Sequence, residues 1–93
     1  MDNLRMLKQN LELPNDLRDE YLLTLLDASE RDLVRHGIKA PKCEDMAADY
    51  QNLVVMYAAY YYRKRAEDKA AMPRMLQYAM HNYLLAQKME VEQ

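Results

Sequence analysis

The sequence predicts an all-α protein: a compact bundle of about four helices with a long central helix rich in tyrosine. Three observations lead there. One glycine and three prolines in 93 residues leave little material for turn-rich β structure. Apolar residues recur at spacings of three and four, and no alternating β-branched run competes with them. The stretch from Leu53 to Tyr62 is apolar or aromatic at nearly every position, which makes a helix with almost no water-facing side. Ninety-three residues form one domain, 1–93, and no repeat, low-complexity segment or linker divides it.

The first helix, within 1–12, rests on Leu4, Leu7 and Leu11, one apolar edge at helical spacing, and Pro14 stops it. Helix 2 is expected over 15–36, with Asn15 or Asp16 as its cap and Asp19 and Glu20 at the positive end of its dipole. Leu17, Tyr21, Leu22, Leu25, Leu26 and Leu33 form its stripe. Gly37, the only glycine, follows Arg35 and His36 as a left-handed stop. After a connector holding Pro41, helix 3 is expected over 45–66, with Asp45 as a plausible cap. It ends in Arg63, Lys64 and Arg65, where cations suit a carbonyl-rich terminus. At 1.5 Å per residue it is roughly 30 Å long, about the width of a small domain. A charged loop leads to Pro73 at the first position of helix 4, 73–86, with Met75, Leu76, Ala79, Met80, Tyr83 and Leu84 facing the core. The tail, 87–93, has little to bury and is expected to be disordered in an isolated subunit.

Composition narrows the function. A formal net charge of −2 creates no global field to hold a nucleic-acid backbone, so any DNA contact is local. The longest uncharged run, Tyr50 to Tyr62, is too short and too rich in tyrosine to span a bilayer, and Met1 to Asn10 lack the apolar core of a signal peptide. No membrane partner is expected, and the protein is expected to be made and used in a cytoplasm. A lone Cys43 forms no internal disulfide and has no metal-binding company. His36 and His81 lack an acidic residue three positions earlier, the pairing a bundle metal site needs, so no metal or cofactor is expected. Thr24 and Ser29 stand inside helix 2 without a sharp turn or a paired histidine, and a single glycine makes no phosphate loop. The expectation is a non-enzyme.

Two signals remain. Half the circumference of helix 3 has no obvious cover in so short a chain, so Val55, Met56, Ala59, Tyr60 and Tyr62 are candidates for contact between subunits. Core packing is the competing reading, and it is the stronger one for Tyr50, Tyr57 and Tyr61. Arg63, Lys64 and Arg65 are either a solvated helix end or, with many copies lining a channel, a DNA contact.

The order of elements resembles a known family. A leucine-rich helix holds Tyr21-Leu22-Leu23-Thr24-Leu25-Leu26-Asp27-Ala28-Ser29-Glu30. The tyrosine-rich helix ends in Tyr61-Tyr62-Arg63-Lys64-Arg65-Ala66-Glu67, and Met72-Pro73 open the last helix. From about Leu4 to Leu85 this is similar to the head–tail connector (adaptor, or head-completion) proteins of tailed bacteriophages and prophages. The resemblance implies a structural protein that joins its own copies into a ring beneath the portal protein. The ring would extend the DNA channel after packaging and offer a surface to a tail-side connector or stopper protein. It implies a place in the virion after synthesis in a bacterial cytoplasm, and at most transient, non-specific contact with DNA. Two features depart from the pattern: the connector from Ile38 to Glu44 is short, and Asn82-Tyr83-Leu84 stands where a Tyr-Arg pair is common. A small helical module that dimerises and binds another protein, and a nucleic-acid module using Arg63, Lys64, Arg65, Lys69 and Arg74, are the other readings.

Overall fold

Asp2 opens the first helix, its carboxylate accepting from the backbone N–H of Arg5 at 2.8 Å in the computed structural model, which describes residues 2–41, 44–66 and 71–91. Helix α1 spans Asn3–Leu11, α2 Asp19–Arg35, α3 Ala47–Ala66 and α4 Arg74–Val91, with a 3₁₀ turn, Glu44–Met46, ahead of α3. The fold is an all-α bundle of four helices, as the breaker-poor sequence predicts. The side chain of Asp45 and both atoms and surroundings of Cys43 and Lys69 lie outside the described residues, so the expected cap at Asp45 stays an expectation.

Both ends of the first turn region depart from expectation for a local reason. Asn15 accepts from the N–H of Leu17 at 3.2 Å, an Asx turn, while the Asp16 carboxylate is drawn to Lys8 Nζ at 2.6 Å. Neither is left to cap a helix. α2 therefore begins a turn later than position 15, at Asp19, with Arg18 before it and no side-chain cap. Leu17, expected in the buried stripe, lies in that turn and is 88% exposed. The other end of α2 follows the sequence. Gly37 has φ 88°, its N–H donates to Val34 O, and the N–H of Ile38 donates to Leu33 O, which closes a Schellman stop over the buried pair Leu33 and Ile38.

α3 is the axis of the bundle. α1, α2 and α4 all pack on it, while the backbone of α4 comes close to neither α1 nor α2 among the described residues. α2 and α4 run antiparallel to α3. Tyr62 near its end meets Arg18 at the start of α2, and Tyr50 near its start meets Tyr83 late in α4, with ring centroids 5.9 Å apart. Leu53, Val54, Val55, Tyr57, Ala58 and Ala59 are all buried, together with Leu7, Leu22, Leu26, Leu33, Leu76, Met80 and Tyr83. Three neighbouring helices are what an all-apolar helix requires.

α4 is longer than expected. The helix continues through Val91, beyond the end expected at 86. Gln87 supplies the anchor: its amide donates to Gly37 O at 2.7 Å and accepts from the N–H of Lys39 at 2.9 Å, while Tyr83 Oη donates to Lys39 O at 3.2 Å. Two side chains of α4 thus bind the backbone of Gly37 and Lys39 at the start of the α2–α3 connector, groups that no helix satisfies. Pro73 stands one position before the helix, its carbonyl accepting from Gln77 N–H. Met75, expected in the core, is instead 75% exposed. Leu76, Met80 and Tyr83 carry the buried face, with Ala79 and Leu84 half-buried beside them.

Candidate subunit interface and the basic end of α3

The five residues expected between subunits part into two groups. Val55 and Ala59 are buried within the single chain, 4% and 1% exposed, and the cover sought from other copies comes from its own neighbouring helices. A groove lined by Met6, Gln9 and Asn10 of α1 with Asn52, Val55 and Met56 of α3 shows how α1 covers Val55. These two residues are core and not interface. Met56, Tyr60 and Tyr62 remain half-buried. Asn52, Met56, Tyr60 and Arg63 follow one another at i, i+4, i+8 and i+11, so they form one strip along α3. Met56 and Asn52 also line a groove on the α4 side with Ala79, Asn82 and Ala86. The strip is therefore the gap between α1 and α4.

Tyr62 points elsewhere, towards α2. Arg18 Nη1 donates to its hydroxyl at 2.7 Å, the Arg18 guanidinium sits 5.7 Å from its ring centre, and the Tyr21 ring is 6.3 Å away. Arg65 lies 4.8 Å over the Tyr21 ring and Lys64 lies 5.6 Å over the Tyr60 ring. Arg63 donates to Asn10 Oδ1 at 3.1 Å, joining the ends of α1 and α3. Each of the three cations is exposed, yet each rests against a different neighbour, so ring faces and one amide fix where the charges stand. The result is a cationic and aromatic end of the bundle, built from Arg18, Tyr21, Tyr60, Tyr62, Arg63, Lys64 and Arg65. Sequence reasoning found the cations but missed Arg18 and Tyr21. They lie 44 residues from their partners, and nothing in local spacing marks them.

Tyr57, Tyr60 and Tyr61 make a ring cluster along α3, with Tyr57 and Tyr61 edge to face at 5.2 Å and Tyr60 stacked on Tyr61 at 5.9 Å. Burial pushes the Tyr57 phenol above its usual value, and the carboxylate of Asp32 adds to the shift; burial and then Glu30 act likewise on Tyr50. These phenols are neutral packing groups. At the same end of the bundle, on either side of Arg18 in the chain, the Lys8 ammonium holds the Asp16 carboxyl below its usual value by hydrogen bond and charge, and Asp19 lies 3.0 Å from the same ammonium.

The hydroxyls that a nucleophile would need are spent on backbone. Thr24 donates to Glu20 O at 3.0 Å and buried Ser29 to Leu25 O at 2.7 Å. His36 and His81 are exposed. Among the described residues no group of three or more His, Cys, Asp or Glu side chains could hold a metal ion, and no helix is long and apolar enough to cross a membrane. No protein-family model, curated protein or solved structure matches the chain.

Proposed function

We propose that the chain is a non-enzymatic assembly protein that closes with its own copies into the head–tail connector ring of a tailed phage or prophage. In that role it seats under the portal protein and carries a tail-side stopper protein. The observation that carries the reading is the open strip of α3, Asn52, Met56, Tyr60 and Arg63, which runs into the cationic and aromatic end. Methionine and tyrosine flanked by polar groups suit a contact that is buried in an assembly and wet in a free subunit. The near-neutral net charge supports a channel wall past which DNA slides, because few phosphates would be gripped.

The test is absolute mass by light scattering across a wide concentration series, alone and with a portal complex, with negative-stain imaging of large species. Rings are expected in at least the second condition. Met56→Asp, and Tyr62→Asp at the cationic end, are expected to abolish them while leaving helix content intact. Absence of any species above a dimer in both conditions overturns the proposal, as does ring formation unaffected by Met56→Asp.

A further inference from the structure

α4 has two apolar faces and the bundle uses one. Opposite Leu76, Met80 and Tyr83, the residues Met75, Tyr78, Asn82, Leu85 and Met89 are all exposed, Met75 at 75%, Tyr78 at 62% and Met89 at 65%. Their spacing is 3, 4, 3 and 4. That is the a and d pattern of a two-stranded coiled coil over two heptads, with Met75, Asn82 and Met89 at a and Tyr78 and Leu85 at d. Because α4 packs on α3 alone, no other helix of the chain covers this seam among the described residues.

We infer that this face pairs with the same face of a second copy, the two α4 helices lying parallel and in register about Asn82. The a positions are spaced evenly about Asn82, so the face is complementary in register to a second copy of itself, and charge selects the direction. The g positions are Arg74, His81 and Lys88, and the e positions between them are Ala79 and Ala86, all but half-buried Ala79 exposed. In a parallel pair g meets e of the partner, so each cation lies beside an alanine and the small side chains let the helices approach. In an antiparallel pair g meets g, and Arg74 would face Lys88 of the other copy across the seam. A polar Asn at the central a position has its best-known use in such parallel pairs, where two facing amides hydrogen-bond and fix register at some cost in affinity. α4 is already held helical by α3 and by Gln87, so pairing does not carry the ordering cost that an isolated two-heptad peptide would meet. Two heptads fall short of the roughly 800 Å² per partner of a standard interface, so a reversible, concentration-dependent association is expected.

The inference does not depend on ring formation. Asn82, Ala79 and Ala86 also line the groove that Met56 lines, but Leu85 and Tyr78 do not, so a change at Leu85 separates the two contacts. Sedimentation equilibrium from about 1 µM to about 1 mM reads pairing. The wild-type chain is expected to show a monomer–dimer equilibrium, and Leu85→Glu to weaken it about a hundredfold with an unchanged thermal melt. Asn82→Val is expected to tighten association about tenfold or to admit larger species. Direction is read by oxidative cross-linking in a Cys43→Ser background. Met75→Cys is expected to bridge to itself, and preferential bridging between Met75→Cys and Met89→Cys overturns the parallel arrangement. A strict monomer at all concentrations, or a dimer untouched by Leu85→Glu, overturns the pairing and leaves the face to a different protein. Loss of dimers in Leu85→Glu with rings retained on the portal separates this inference from the connector reading.

Discussion

Glu12 holds a left-handed backbone, φ 57°, at the stop of α1, where its N–H donates to Gln9 O and the N–H of Leu13 to Lys8 O. This is the same Schellman geometry that Gly37 serves at the end of α2, but here a side chain bears the conformational cost. A Cβ in that region costs about 1 kcal/mol, and the Glu12 side chain is exposed, so nothing visible offsets it. Glu12→Gly is expected to raise stability by about 0.5–1 kcal/mol, less the extra freedom glycine gives the unfolded chain, read as a higher urea midpoint at unchanged slope. The sequence announces Gly37 as a stop because glycine is the usual residue there. It hides Glu12, because no residue type marks a left-handed glutamate. Asn15 and Asp16 mislead for a related reason: both have capping chemistry, and a two-residue turn and a lysine eight positions back claim it first.

At the scale of elements, the helices and their order were legible because 3.6-residue periodicity and the placement of Pro14, Gly37 and Pro73 are local signals. The length of α4 was not, because its last turns are held by a partner 50 positions away in the chain. Gln87 gives the connector two hydrogen bonds, one to the carbonyl of Gly37 and one from the amide of Lys39. Gln87→Ala is expected to cost about 1–2 kcal/mol and to speed hydrogen exchange at the Lys39 amide well beyond that at residues of α1. Equal acceleration everywhere would mean that the connector opens only with the whole molecule. The second apolar face of α4 is present in the sequence at heptad spacing, but spacing alone puts Met75 with Leu76 and Ala79 in the core stripe. Only the burial of Leu76, Met80 and Tyr83 separates the two faces. For α3 the reverse holds: its all-round apolarity was plain, and its cover turned out to be α1 at Val55, a short helix whose reach no pattern discloses.

The molecule as a whole measures 44 × 30 × 18 Å, a flattened bundle whose interior holds tyrosines where larger proteins carry phenylalanine, of which this chain has none. That choice has a pH signature. Tyr50 and Tyr57 have folded-state values above the ordinary phenol value of 10.0, chiefly through burial, so the native state holds these protons more tightly than the unfolded chain does. Stability from this source is complete below about pH 10 and falls as pH rises through the tyrosine range. Alkaline unfolding followed by circular dichroism is expected to flatten in Tyr50→Phe/Tyr57→Phe relative to wild type. An unchanged alkaline slope would assign the transition to other groups.

The antiparallel path of the helices also sorts the chain's ends. Asp2 lies near Leu26, Glu30 and Gln51, and Gln87 near Gly37, so the start of α1 and the late turns of α4 lie in the half of the bundle opposite Arg18, Arg63 and Arg65. A flexible tether can therefore join the end of α4 in one copy to the start of α1 in another without crossing the cationic end. Two subunits written as a single polypeptide become a practical object. In it, one Leu85 can be altered while its twin is kept, and stoichiometry ceases to be a variable.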